Sequence, residues 1–201
     1  MRRYLVVAIC ALVVGCRKTP EVPPRQADAL RRYTTCEFAD GLKAVSVDRL
    51  PENVTRRPVE TTSGPREITL ADGYRVLLAY PDGDYFVNLK VEMSEAGKFT
   101  EDKKAVIDQM GYLSAQAKGA PLPLEHATMK GLDAYSLNNP GIAGTGPISF
   151  YSLFDDAKGV VITAYLLNQR PDRRKFKTIE EYRVLRDAFL DSFTACVGEV
   201  H

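Results

Sequence analysis

The chain has 201 residues, 22.3 kDa of mass and 45% hydrophobic positions, enough to bury the core of one domain and short of what two ordinarily need. Its formal charge of +1 offers no electrostatic grip on nucleic acid or on anionic membrane. Tyr and Phe supply all the aromatic surface and Trp is absent, which argues against a stacking site for sugars or bases.

The chain opens on a basic start, Met1-Arg2-Arg3, followed by an uncharged apolar run from Tyr4 to Gly15. That run has the length of a secretory h-region and falls well short of the about twenty residues a membrane-crossing helix needs. It ends in Val13-Val14-Gly15-Cys16, which resembles the bacterial lipobox. The resemblance implies diacylation of Cys16, cleavage after Gly15 and N-acylation of the new terminus, and stable anchoring requires more than one acyl chain. The expected division is a signal peptide over residues 1–15, the lipidated Cys16 and a flexible tether over 16–33, and a single α+β domain over 34–198. Loss of Arg2 and Arg3 with the leader takes the formal charge from +1 to −1. Arg17 stands where lipoproteins retained in the inner membrane often carry Asp, so the resemblance implies outer-membrane sorting. From Arg17 to Gln26, Pro20, Pro23 and Pro24 lie among charges with almost nothing to bury, as a tether requires.

Cys10 leaves with the leader and Cys16 is taken by lipid, which leaves Cys36 and Cys196. In an oxidising compartment such a pair is expected to be a disulfide joining the start of the domain to its last helix. Closing a loop of roughly 160 residues stabilises by about 2 to 5 kcal/mol on the chain-entropy model. A metal pair would need His or Cys at ligand spacing, and neither is there.

A short helical turn fits Ala27 to Tyr33, and Phe38 to Val47 mixes apolar and polar positions as an edge strand does. Leu50 to Pro65, with Pro51, Pro58 and Pro65, reads as an irregular connection. Glu67 to Leu70 and Tyr74 to Tyr80 flank Ala71-Asp72-Gly73, where Asp-Gly suits a tight hairpin. After a second turn at Pro81 to Asp84, the run Tyr85 to Met93 alternates Val87, Leu89 and Val91 against Asn88, Lys90 and Glu92, a strand with one dry and one wet face. Thr100 fits an N-cap with Glu101 and Asp102 in the first turn, and Ala105, Ile107, Met110, Leu113 and Ala117 recur at helical intervals up to Gly119. Four strand-like runs follow, Leu124 to Met129, Leu132 to Leu137, Ile148 to Asp155 and Val160 to Leu167, with hairpin turns at Lys130-Gly131 and Asp156 to Gly159. Thr178 to Glu181 has capping-box spacing, and Ile179, Tyr182, Leu185, Phe189, Phe193 and Cys196 form an apolar stripe, with Arg183, Arg186 and Asp187 outside it.

The expected fold is α+β, a largely antiparallel sheet of about six or seven strands with two main helices packed on it. A parallel nucleotide-binding sheet needs more crossover helices than this order provides. The order, from the Glu67 run through the Thr100 helix and four later strands to the Thr178 helix, resembles the PsbP/Mog1-like fold over about two thirds of the chain. Cystatin-like or NTF2-like curved sheets, which place their main helix ahead of most strands, fit less closely. The PsbP/Mog1-like resemblance implies a non-enzymatic partner-binding scaffold.

Chemistry has few places to sit. His126 is the one histidine away from the terminus, and its neighbour Glu125 points to the opposite face of a strand, so Glu125 is not expected to orient it. No Gly-x-Ser-x-Gly elbow and no sequential calcium-ligand spacing occur. The segment Asn138, Asn139, Pro140, Gly141, Ile142, Ala143, Gly144, Thr145, Gly146 and Pro147 is glycine-rich and lies between strands. No Lys-Ser or Lys-Thr follows it, so it is not a P-loop, and it reads as a contact loop whose candidate residues are Asn138, Asn139, Gly141, Gly144, Thr145 and Gly146. Arg170, Arg173, Arg174, Lys175 and Lys177 form a basic cluster that reads as solvated turn charge, softened by nearby Asp172, Glu180, Glu181 and Asp187, with contact to lipid phosphate or another acidic envelope polymer as the alternative. The sequence reading is a non-enzymatic envelope lipoprotein, without cofactor or metal, held to the membrane by its lipid anchor and binding another envelope protein or macromolecule. The alternative is a carrier of a small ligand in a cavity between sheet and helices.

Overall fold

The computed structural model describes residues 29–38, 41–50, 55–81, 85–117, 120–141, 146–168 and 175–198. Residues 1–28, which hold the expected signal peptide, Cys16 and most of the expected tether, lie outside the described residues, as do Gly144, Thr145, Arg170, Arg173 and Arg174. After a 3-10 turn at Arg32–Thr34 come β1 (Lys43–Leu50), β2 (Thr55–Val59), β3 (Arg66–Ala79), β4 (Tyr85–Ser94), α1 (Phe99–Ala115), β5 (Leu124–Met129), β6 (Leu132–Asn138), β7 (Gly146–Asp155), β8 (Val160–Asn168) and α2 (Ile179–Gly198). Among the described residues the strands form one large antiparallel sheet of eight in the order β1-β3-β4-β8-β7-β6-β5, with β2 also paired to β3. The α+β class and the antiparallel sheet agree with the sequence reading.

Period-two alternation sends neighbouring residues of each strand to opposite faces, and here both faces are covered. Val76, Leu78, Val87, Leu89, Val91, Leu153, Ile162, Ala164 and Leu166 meet Tyr182, Phe189, Phe193 and Val197 of α2. The residues between them in sequence, among them Val161 and Phe154, join Val59, Ile68 and Leu70 against Ala105 and Val106 of α1. We call these the α2 face and the α1 face. The α2 stripe is the one expected, since Ile179, Leu185 and Cys196 also pack against that core. Its start is capped as the spacing implied, with the Glu181 N–H donating to Thr178 Oγ1 at 3.1 Å. The Glu181 carboxylate accepts from the Lys177 N–H at 2.6 Å, one residue before the cap.

Several sequence expectations are corrected. Ala71-Asp72-Gly73 makes no hairpin. β3 runs through it, and the register on β4 shifts between Ala71 and Gly73, so Asp72 is the extra residue of a β-bulge. Gly73 is required there because a Cβ would come within 2.1 Å of the Val91 carbonyl oxygen, which makes it a close-approach glycine. The stretch read as irregular contains β2, whose Pro58 pairs opposite Glu67 on an edge strand that tolerates a missing N–H. The first edge strand begins at Lys43, while Phe38 leaves the sheet and packs on Phe189 with ring centroids 5.6 Å apart. α1 starts at Phe99 with Lys98 at the N-cap position and no side-chain cap bond, so Thr100 is not the cap. The Asp102 carboxylate in its first turn is buried and accepts the Thr69 N–H at 2.9 Å, fastening α1 to β3.

Folded structure also begins earlier than residue 34, because Leu30 and Tyr33 are fully buried against the α2-face core. Tyr33 donates its hydroxyl to Asp155 Oδ2 at 2.7 Å, and Arg32 and Lys158 reach the same oxygen at 3.2 and 3.0 Å. Burial pushes the Asp155 carboxyl up, but these donors outweigh it and hold the group below its ordinary value. Burial raises the Tyr33 hydroxyl to about 12. Cys36 and Cys196 are joined as a disulfide with Cα atoms 5.9 Å apart, as the sequence led one to expect. Among the described residues no helix is long and apolar enough to cross a membrane.

Candidate functional site

β6 ends at Asn138, the first residue of the glycine-rich segment, and its side chain turns toward the α2 face. The Asn138 carbonyl oxygen accepts from Ser149 Oγ at 2.7 Å, Tyr151 OH at 3.3 Å and a guanidinium nitrogen of Arg186 at 3.4 Å. Its amide donates to Glu125 Oε2 at 2.8 Å and to Ser136 Oγ at 3.2 Å. Behind it the buried Tyr182 hydroxyl donates to Ser149 Oγ at 2.7 Å. One amide therefore ties β5, β6, β7 and α2 together with both of its ends satisfied, which fixes the side chains around it. Burial raises the Tyr151 and Tyr182 hydroxyls, so both stay protonated donors at neutral pH.

Two clefts open on either side of this network. One of about 720 Å³ is bordered by Pro121, Pro123, Asn139, Pro140, Arg183 and Arg186. The other, of about 380 Å³, lies between β5 and α2, beside Met129, Tyr151 and Leu190. Glu125 and Arg186 line both. Arg186 belongs to the site and not to the solvent face assigned to it from sequence. It lies four residues after Tyr182 and four before Leu190, so helical geometry sets it on their stripe, and its Nε donates to Asp187 Oδ1 at 2.7 Å. The signal that could have found it is that i, i+4 relation, masked by the habit of placing charge outside.

Compared with known proteins, the chain matches no family model, no curated protein and no solved structure.

The glycine-rich segment is closed at its base by the Asn139 N–H donating to the Ile148 carbonyl at 2.8 Å, and Gly141 N–H donates to Asn139 Oδ1 at 3.1 Å, a local Asx turn. Asn138 and Asn139 thus border the larger cleft, Gly141 follows in the turn, and the backbone of Gly146 opens β7. The His126 ring sits on the α1 face of β5, although the residue also borders the smaller cleft, while Glu125 faces α2 as alternation required. The histidine has a different carboxylate partner, with Nε2 at 2.5 Å from Asp133 Oδ1 and its ring stacked on Tyr135 at 4.4 Å. Lys103 bridges Asp133 and Asp156 at 2.8 and 2.7 Å, and with His126 it holds Asp133 below its ordinary value against the upward push of burial. No Ser, Thr or Cys among the described residues is hydrogen-bonded to His126, so the geometry is that of a pin joining β5, β6 and α1. Of the basic cluster, Lys175 lies over the Tyr80 ring at 5.3 Å. Among the described residues no group of three or more His, Cys, Asp or Glu side chains is placed to hold a metal ion.

The outer border of the site is β5 itself. It is the last strand of the sheet, pairs with β6 without a bulge from Leu124 opposite Leu137 to Met129 opposite Leu132, and has no strand on its other side among the described residues. At the opposite border, β1 carries a bulge between Ala44 and Ser46 and the charges Lys43, Asp48 and Arg49, devices that discourage further pairing.

Proposed function

We propose that the chain is a non-enzymatic envelope lipoprotein whose domain binds an envelope protein, receiving an extended segment of it along β5. The observation that carries this reading is a regular, uncovered edge strand bordered by two clefts that share Glu125 and Arg186. Main-chain pairing on the edge gives affinity, and the clefts select alternate side chains of the incoming strand. An acidic or amide side chain suits Arg183 and Arg186, and the proline-rich rim suits an apolar one. The glycine-rich segment after Asn138 supplies the adaptable part of the surface. The Cys36–Cys196 disulfide supports an oxidising compartment, and the lipobox resemblance at Cys16 supports lipid anchoring, with outer-membrane sorting by Arg17. Helices on both faces of an antiparallel sheet, in the order strands, helix, strands, helix, support a PsbP/Mog1-like assignment over a cystatin-like or NTF2-like one.

Site-specific photocrosslinking in cells of the source organism tests the reading. A crosslinker at Ala127 or Thr128 on β5 should give a discrete adduct that is lost in Arg186→Glu and absent with the crosslinker at Val45 on β1. Equal labelling from both edges, or none from β5, refutes it. Radiolabelled palmitate should enter the wild type and not Cys16→Ala. The small-ligand carrier has weaker support between sheet and α2, where Leu153, Tyr182, Phe189 and Phe193 fill the space without exposure.

A further inference from the structure

The polar positions of the central strands fall into register on the α1 face. Arg75 pairs with Lys90, Lys90 with Thr163 and Thr163 with Ser152, so one straight row crosses β3, β4, β8 and β7. On one side the row is bounded by Val161 of the α1 core and on the other by Asn88 and the stacked rings of Tyr165 and Phe150, with centroids 4.9 Å apart. Val106 and Gln109 of α1 and Arg57 of β2 also line it. The result is a groove of about 380 Å³.

The groove is left unbalanced in charge and in hydrogen bonds. Arg57, Arg75 and Lys90 face two carboxylates, Glu92, which lies 2.6 Å from Lys90 and 3.5 Å from Arg57, and the exposed Asp48 of β1, which stands opposite Arg75 in register. Arg75 forms no ion pair with Asp48 or with any other carboxylate among the described residues. Burial, and after it the neighbouring arginines, pull the Lys90 ammonium below its ordinary value despite Glu92. Ser152 is fully buried, and its hydroxyl, lining the groove, has no hydrogen-bond partner. Buried hydroxyls are ordinarily bonded, so an orphan among surplus cations marks a place for an acceptor from outside. Arginine and lysine only donate, which excludes a cation and disfavours a neutral ligand, and the groove is too small for a nucleic-acid strand.

We propose that this groove binds a phosphate group, with Arg75 and Lys90 neutralising its charge and Ser152 and Thr163 donating to its oxygens. Arg75 supplies a planar fork suited to two phosphate oxygens, and Lys90 a point charge between them and Glu92. The group can belong to free phosphate, to a small phosphate ester, or to a lipid headgroup near which the proposed tether would hold the domain. The site is on the opposite face of the sheet from the β5 clefts and does not depend on the partner reading.

Calorimetric titration of the full-length protein in neutral detergent decides this, with inorganic phosphate, glycerol 3-phosphate and a short-chain phosphatidylglycerol as separate probes and short-chain phosphatidylcholine as the control. Saturable binding of any of the first three, weakened tenfold or more in both Arg75→Gln and Ser152→Ala and unchanged in Arg186→Gln, is the expected result. Binding of phosphatidylglycerol alone identifies the headgroup as the source, and binding of phosphate or its ester identifies a soluble ligand. Circular dichroism melts of each variant check that the fold is intact, and Thr163→Val serves in place of any variant that fails. No saturable binding of the three probes at concentrations up to about 10 mM, equal binding of phosphatidylcholine, or full binding by the variants overturns the proposal.

Discussion

The double substitution Cys36→Ser, Cys196→Ser removes a covalent link between residues 160 apart in sequence. In the unfolded chain that link closes almost the whole domain into a ring, and the chain-entropy expression gives a stabilisation of about 5 kcal/mol at this separation. Native contacts at the same place are kept in the variant. Phe38 still meets Phe189, and Tyr33 still bonds Asp155, so the folded state itself changes little. The loss is thus expected as roughly 2 to 5 kcal/mol, a large part of the stability of a domain of this size, and as a fall in melting temperature of about 4 to 20 °C. Urea unfolding of oxidised wild type, reduced wild type and the double variant measures it. The reduced protein and the variant should unfold at the same lower midpoint, and Ellman's reagent should find no thiol at residues 36 and 196 of the oxidised native protein. Coincident midpoints for all three, or thiols that react without unfolding, refute the reasoning.

Asp155 has a lowered native carboxyl, so the unfolded state binds its proton first and stability from this group is present above the ordinary carboxylate range and lost as pH falls through it. Tyr33→Phe should cost about 1 to 2 kcal/mol at pH 7 and less at pH 3, as measured by urea midpoints. Asp102 has the opposite sign. Burial raises its native carboxyl in spite of the Thr69 N–H, so wild-type stability from this group declines as pH rises from about 4. The stability advantage of wild type over Asp102→Asn should therefore shrink between pH 4 and pH 7, and an advantage that grows would contradict the assignment. Gly73→Ala drives a methyl into the Val91 carbonyl and should cost about 3 kcal/mol or more, while Gly111→Ala, whose Cβ meets only Thr62 Cγ2 at 3.5 Å, should raise the melting temperature through about 0.5 to 1 kcal/mol of helix propensity.

What could be read from the sequence was local. The α2 stripe, the strands β5 to β8 and the turn at Lys130-Gly131, where φ is +49° and +84°, follow from periodicity and turn chemistry within a dozen residues. The disulfide followed from counting cysteines against compartment. Errors came where one signal has two structural uses. Asp-Gly serves a hairpin or a bulge, and the choice at Gly73 is made by the approach of Val91, some eighteen residues on. Pro58 was taken to end pairing, but an edge strand has no use for the missing N–H. Asn138 and Asn139 of the candidate loop border the larger cleft, whereas Arg186, which meets Asn138 from 48 residues away, was assigned to solvent.

The same limit explains the groove on the α1 face. The alternation of Asn88, Lys90 and Glu92 with Val87, Leu89 and Val91 was read as a wet face, and the polarity was right. Alternation reports which side of a strand avoids the core; it does not report which neighbours stand beside it. That is set by register, and register brings Arg75 to Lys90 and Ser152 to Thr163 from strands 15 and 11 residues apart in sequence. A polar stripe facing bulk water would leave its hydroxyls hydrated, but here Val106 and Gln109 of α1 line the same groove and the Ser152 hydroxyl is buried without a partner. The sheet thus offers an uncovered edge with paired clefts on one side and a cationic row on the other. Substitutions at Arg186 and Arg75 touch no common residue, so their effects on partner crosslinking and phosphate binding should be separable and their effects on stability additive. Coupling between the two would mean that α1 and α2 move together across the sheet, which the filled core between Leu153, Phe189 and Phe193 resists.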